Sequence, residues 1–381
     1  MIAPDSFKGS LSASAVATAI AEGVRDVFGD AADIVVKPMA DGGEGTLDAI
    51  ASAWGVALRE VATVDAIGRP TVARYGISAD GRHAVIEAAE ANGLPAVSDL
   101  PLQPLRADTF GVGLIAREVL DRGVDSIVLC VGGSATTDGG TGMLTALGVR
   151  FLAAEGDLVS PGGGALARIV AVDASGLHPR ARAVRWRIAV DVDNPLCGER
   201  GAAATFGPQK GATAHDVSIL DAGLANLAMV LEDATGTNGL GGSGSGAAGG
   251  LPVSLRAFCD ATLEPGSSLV AETIGLAAAA KGASLVFTGE GSFDAQSLAG
   301  KVVVGVVSAT PRGCPVVVIA GRVDLSSAQM RAAGVTAAFS IANGAEELVT
   351  LMASANERVR AAAAQICALW ASGIRHADEN Q

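Results

Sequence analysis

The chain has 381 residues, of which 49% are hydrophobic and only 3% aromatic, with 50 glycines and a formal net charge of −13. That length suits about two domains of roughly 100 to 200 residues, with cores built from Ala, Val, Leu and Ile. The acidic balance argues against nucleic acid or an anionic membrane as partner, and no apolar run in the sequence reaches the roughly 18 to 20 residues of a membrane span.

Ile2–Pro4 reads as a short first strand, because a buried strand usually needs about 5 residues. A polar turn, Asp5-Ser6-Phe7-Lys8-Gly9-Ser10, leads to Ser12, which is placed to cap a helix reaching Phe28. Val16, Ile20, Val24 and Val27 recur there at helical spacing. A second strand is expected over Asp33–Met39. It runs into the acidic-glycine turn Asp41-Gly42-Gly43-Glu44-Gly45-Thr46-Leu47 and a helix to Trp54. Short strands follow over Val61–Val64, Thr71–Ile77 and Ala84–Glu87, then a proline-bearing loop, a helix over Thr109–Arg122 and a strand over Ser126–Val131. That strand feeds Gly132-Gly133-Ser134-Ala135-Thr136-Thr137 and a second acidic-glycine turn, Asp138-Gly139-Gly140-Thr141-Gly142-Met143-Leu144, 97 residues after the first. Further on come a strand over Ile188–Val192, a helix over Asp216–Glu232 and the glycine-serine stretch Gly239–Gly250. The opening pattern then returns: a helix to Ala280, strand Leu285–Thr288, a helix from Lys301, strands Pro315–Ala320 and Ala337–Ile341, and a final helix over Ala345–Gly373.

This order predicts an α/β fold with a discontinuous Rossmann-like parallel-sheet domain from residues 1–60 and 266–381. A second α/β domain, residues 61–265, is inserted, with the active site in the interdomain cleft. On that reading Asp41 and Asp138 face each other from different domains. Cys130, Cys197, Cys259, Cys314 and Cys367 are widely spaced, without CxxC, and read as free thiols in a reducing, cytoplasmic setting. The N-terminal stretch has no signal-peptide pattern.

The chemistry is carried by carboxylates at strand ends: Asp5, Asp41, Glu44, Asp138, Asp191, Asp193, Glu290 and Asp294. Any one of them reads equally well as a solvated loop acid, but the shared habit weakens that reading for the set. Phosphoryl transfer needs metal carboxylates, an oriented acceptor hydroxyl and donors around the phosphates. Glycine turns at helix N-termini offer such donors. Gly242–Gly250 holds one GxGxxG match with no strand before it, and Gly300-Lys301 is followed by Val302, so neither a dinucleotide fingerprint nor a Walker A loop is present. His83, His178, His215 and His376 show no metal spacing, and no GxSxG elbow exists.

Taken together, Ala3–Ser12, Ala40–Thr46, Gly132–Gly140, Asp191–Gly198, Phe206–Gly211 and Thr288–Asp294 resemble the signatures of bacterial glycerate kinases, in family order from Ile2 to Arg322. The resemblance implies phosphorylation of D-glycerate by ATP with Mg2+, most often to 2-phosphoglycerate. Thr137 stands where the family usually has Asn, and the glycine stretch is longer and richer in serine than the family's. On this footing catalytic roles are expected for Asp41, Asp191, Lys8 and Asp138, with Asp41 or Asp191 taking the acceptor proton. Substrate contacts are expected from Asp5, Ser6, Lys8, Gly42, Gly43 and Glu44, and metal ligation from Asp138, Asp193 and Glu290. Nucleotide contacts are expected from Gly132, Gly133, Ser134, Lys210, Gly244, Gly246, Gly249, Asp294 and Lys301. Formation of 3-phosphoglycerate, a kinase of another hydroxy or sugar acid, and a non-catalytic sugar-acid sensor are the alternatives, and a homodimer is left open.

Overall fold

The computed structural model describes residues 1–298 and 300–378. The chain divides into a terminal unit (Met1–Asp41, Asp48–Gly55 and Ser267 onward) and a central unit (Gly42–Leu47 and Val56–Gly266). The fold is mixed α/β with parallel sheet in both.

The central unit holds strands β1 (Arg59–Val64), β2 (Pro70–Ile77), β3 (His83–Glu87), β4 (Ser126–Cys130), β5 (Arg150–Leu152), β6 (Ala171–Asp173), β7 (Arg185–Ala189) and β8 (Thr262–Glu264). Six of them form one sheet in the order β1-β2-β3-β4-β7-β8. The β1-β2-β3 edge is antiparallel, and β3, β4, β7 and β8 run parallel. Ile86, Ile127, Leu129 and Ile188 of this sheet are fully buried with Trp186 and the helix residues Ile115 and Leu120. Parallel strands covered on both faces are apolar along their length for this reason. The register of β7 lies three residues before the expected start at Ile188, so Asp191 and Asp193 follow the strand rather than end it.

The helix Ala214–Thr235 begins at a reciprocal capping box between Thr213 and Asp216. It is long and apolar enough to cross a membrane by length and composition, which the sequence reading did not anticipate. Leu220, Leu224, Leu227 and Leu231 recur at helical spacing and are buried, the last three in a core with Leu166 and Ile169.

In the terminal unit, β9 (Val286–Phe293), β10 (Val316–Val323) and β11 (Ala337–Ser340) are parallel, in the order β11-β10-β9. Two extended segments continue the layer: Ile2 bridges in parallel to Phe287 on one side and to Val36 on the other. The expected strands Ile2–Pro4 and Asp33–Met39 are thus present as single bridges with flanking bonds, Asp5 N to Gly289 O at 2.8 Å and Met39 N to Pro4 O at 2.8 Å. Pro4 stands where the next donor after Ile2 N would face the second segment, whose own donors are Lys37 N and Met39 N, and so interrupts the ladder. In contrast β9 runs past Thr288, where it was expected to stop, because its pairing with β10 continues through Glu290, Ser292 and Phe293.

Ser12 caps the helix Ala13–Phe28, its Oγ accepting from Ala15 N at 3.2 Å. Val16, Ile20 and Val24 pack there against Val359, Ala363 and Cys367 of the helix Ala355–Asp378. The expected single last helix is two, Leu348–Ala353 and Ala355–Asp378, parted at Ser354. The expected helix to Ala280 is also two, parted at Gly275 in the left-handed region (φ 68°). All five cysteines are free.

Candidate active site

Parallel strands deliver their C-terminal ends to one edge, and in the terminal unit that edge is acidic. Asp5 follows the first extended segment, Asp41 follows the second, and Glu290 lies inside β9. Asp5 is 9% exposed, and its Oδ1 accepts from Ser6 N at 2.6 Å. Burial pushes its carboxyl up to about 6, with Asp41 adding to the rise and the Ser6 hydrogen bond and Lys8 opposing it. Lys8, with its side chain 73% exposed, holds its Nζ 3.7 Å from Asp41 Oδ2.

Glu290 is equally buried, and its Oε1 has no hydrogen-bond partner. Burial pushes its carboxyl up to about 7. A hydrogen bond from Ser297 and the charge of Lys301 oppose that rise, while Asp5 and Asp294 add to it. A carboxylate that has lost water and kept an idle oxygen is costly unless something charged comes to meet it. Asp294 shapes the loop after β9, where its Oδ1 accepts from Gln296 N at 2.8 Å and its own N–H donates to Ser297 Oγ at 3.1 Å. Lys301 is the N-cap residue of the helix Val302–Ala309.

The two acidic-glycine turns are not open phosphate cradles. A helix N-terminus attracts anions because its first N–H groups lack partners, and in both copies carboxylates already take them. In the first, Glu87 at the end of β3 accepts from Gly45 N at 3.3 Å and Leu47 N at 3.0 Å. In the second, Asp138 folds back on its own turn, accepting from Gly140 N at 3.1 Å and Gly142 N at 3.0 Å. Thr109 adds its N–H at 2.9 Å and its hydroxyl at 2.8 Å. Asp138 is 0% exposed; the catalytic or metal carboxylate expected there takes three of these bonds on Oδ2 and one on Oδ1, which gives it a structural role in its own turn. Gly42 and Gly43 lie in the first turn, and a Cβ on Gly132 would meet Gly43 Cα at 2.7 Å. Glu44 beside them is exposed.

The remaining central-unit candidates separate by burial. Asp191 is exposed, and its Oδ1 accepts from Gly266 N at 2.7 Å. Asp193 is solvent-facing and paired with Arg200 at 2.9 Å, a poor start for holding magnesium. Lys210 was expected to touch phosphate, but it is 3% exposed. Its Nζ donates to Thr136 O at 2.6 Å and Ser134 Oγ at 3.3 Å. Burial pulls its ammonium down to about 8, with Asp138 opposing the fall.

Gly246 and Gly249, expected at the nucleotide, are glycines because backbone lies against them. A Cβ would meet Pro195 O at 2.4 Å at the first and Thr136 O at 2.0 Å at the second, which also has φ +67°. Gly244 is likewise buried. Of the expected nucleotide turn, Gly133 is exposed, Gly132 partly buried and Ser134 buried. The structure also brings in Glu87, Thr109, Asn92 and Ser297. Glu87 shares the strand-end position that marked the other acids and was legible; the rest are neutral residues made important by folding alone.

Mg2+ prefers hard carboxylate oxygens. Of the three expected ligands, only Glu290 keeps an idle buried oxygen, and Asp5 is a second buried carboxylate that acts on it, as Asp294 also does. These two fit the ion; Asp138 and Asp193 do not. Among the described residues no group of three or more His, Cys, Asp or Glu is set to hold a metal.

A profile of the glycerate kinase family matches residues 1–371. A glycerate kinase of Bacillus subtilis (strain 168) is 42% identical over 369 residues, 97% of this chain and 96% of the relative. A glycerate 2-kinase of Escherichia coli (strain K12) is 39% identical over 378 residues, 99% of each. A crystal structure described as a glycerate kinase 2 from Salmonella typhimurium LT2 superposes with a TM-score of 0.89 at 41% identity, covering 98% of both chains.

Proposed function

The chain belongs to the glycerate kinase family, and from that premise we propose that the acidic strand edge of the terminal unit is its reaction centre. The activity is phosphoryl transfer from ATP to an alcohol oxygen of glycerate. The 2-hydroxyl of D-glycerate is the acceptor in this reading, giving 2-phospho-D-glycerate and ADP; the relative named glycerate 2-kinase supports that regiochemistry. The observation that carries the site is that two buried carboxylates, Asp5 and Glu290 with its idle oxygen, lie on the edge that also carries Asp41 and Lys8.

Lys8, exposed and only loosely engaged at 3.7 Å, is free to swing its ammonium to the glycerate carboxylate. Asp41, which Lys8 meets from solvent, takes the acceptor proton, as phosphoryl transfer requires an oriented base. Asp5 and Glu290 would hold Mg2+, whose chemistry is to neutralise charge on the transferring phosphate. Lys301 adds a cation at the start of its helix. In the central unit, the Gly132-Gly133-Ser134 turn is assigned to the nucleotide, with Gly133 exposed and in the left-handed region (φ 72°) that favours glycine. Incubation with ATP, Mg2+ and D-glycerate, read by phosphorus and proton NMR of the product, tests the reading. Phosphate coupled to the C2 proton supports it; coupling to the C3 protons moves the acceptor, and no ADP release with any short hydroxy acid ends it.

A further inference from the structure

Lysine ammonium groups are seldom fully removed from water, because an unpaired buried charge costs several kcal/mol. Lys210 is one that is, at 3% exposure. It closes the short segment Pro208–Lys210, which Gly211 stops in the left-handed region (φ 89°). Both acceptors of its Nζ, Thr136 O at 2.6 Å and Ser134 Oγ at 3.3 Å, belong to one turn. The carboxylate that acts on it electrostatically, Asp138, has its oxygens committed to Thr109, Gly140 and Gly142.

From the other side, Asn92 holds the same turn. Its Nδ2 donates to Thr136 Oγ1 at 3.0 Å, and its backbone oxygen accepts from Ala135 N at 2.7 Å. The turn is therefore gripped at Ser134, Ala135 and Thr136, and Gly133, though exposed, accepts from Leu94 N on its carbonyl at 2.9 Å.

We propose that Lys210 is a positioning residue for the phosphate donor: it touches no ligand, but its buried ammonium holds the Ser134–Thr136 backbone so that Gly132 and Gly133 meet the nucleotide in one fixed shape. This rests on the assignment of that turn to the nucleotide. Lysine serves here because one tetrahedral ammonium satisfies a carbonyl and a hydroxyl at once, which Met or Leu of similar volume cannot do. The consequence is a selective defect. Loss of the ammonium weakens the nucleotide and leaves glycerate, bound by other residues, unaffected.

The test uses the full chain, with ADP and a non-hydrolysable ATP analogue as nucleotide probes, calorimetric Kd values, and KM for ATP and for glycerate. Lys210→Met is expected to raise the nucleotide Kd and the KM for ATP about tenfold or more, with the KM for glycerate within about twofold. Lys210→Arg, which keeps a donor fork, recovers part of the loss. Should Lys210→Met not fold, Lys210→Gln takes its place, keeping a donor without the charge. Equal losses for both substrates, or lowered thermal stability with nucleotide Kd unchanged, overturn the proposal. Gly133→Leu separates the two levels. If it abolishes nucleotide binding while the folded Lys210 variants do not, the turn stands and the positioning role falls. If it too leaves nucleotide Kd unchanged, the turn's assignment falls and the positioning proposal with it.

Discussion

Replacing Asp138 by Asn exchanges one carboxylate oxygen for an NH2 group in a site built of donors. The carboxylate accepts from Thr109 N, Thr109 Oγ1 and Gly142 N on Oδ2 and from Gly140 N on Oδ1, with no solvent exposure. The least harmful rotamer of Asn keeps its oxygen toward the three donors and points NH2 at Gly140 N–H. That loses one charge-assisted bond, weakens three, and leaves buried donors facing each other. Bonds to a charged group are worth roughly 1.5 to 3 kcal/mol and an unsatisfied buried donor costs about 1 to 3, so the whole loss is about 3 to 5 kcal/mol. Asp138 also favours the buried Lys210 ammonium, and that support disappears in the same step. Equilibrium urea unfolding is the assay: the midpoint falls at unchanged m, while the folded fraction retains turnover within about tenfold of the parent. A variant with parental stability and turnover reduced by several orders of magnitude refutes the reasoning and returns Asp138 to the reaction.

Glu290→Gln removes the idle carboxylate oxygen: thermal scans should show the parent stabilised by Mg2+ with ADP and the variant far less so, and chelation should erase the difference. Equal stabilisation of the two removes Glu290 from the metal. For Lys210, the folded pKa of about 8 lies below the ordinary lysine value, so the unfolded chain binds more protons between about pH 8 and pH 10.5. The parent therefore gains stability relative to Lys210→Met as pH rises through that window, by up to roughly 3 kcal/mol; a flat difference contradicts the burial. Gly249→Ala drives a Cβ to 2.0 Å from Thr136 O at φ +67°, whereas Gly242→Ala meets Gly239 O at an ordinary 3.4 Å. The first should not yield folded protein and the second should be near-parental in nucleotide KM, and a nucleotide defect in folded Gly242→Ala would show that the glycine stretch cradles phosphate after all.

Much of the architecture follows from pattern. The apolar runs of β3, β4 and β10 are buried strands, and Ser12 announces its helix by capping chemistry, whereas the Thr213–Asp216 box that starts the helix Ala214–Thr235 was not read. What could not be read is where pairing stops. Pro4 interrupts the pairing of the first two segments, while β9 outruns its apolar stretch because β10 continues beside it through Glu290, Ser292 and Phe293. At the site, strand-end acids were recognisable, but their division was not. Glu290 and Asp138 differ in what surrounds them: one oxygen of the first has no donor, and the second has four. Those donors are backbone N–H groups and a threonine hydroxyl, which carry no distinguishing letter. The same holds for Lys210, whose motif suggested phosphate and whose burial shows a clamp.

Asp41, at the terminal unit's acidic edge, is the proposed base on the acceptor hydroxyl. Single-turnover phosphoryl transfer by Asp41→Asn, at saturating ATP, Mg2+ and D-glycerate and with folding verified, measures that step alone. The expected result is a rate lower by about 10²- to 10⁴-fold, with the affinity for nucleotide preserved. A rate within a few-fold of the parent would contradict the account.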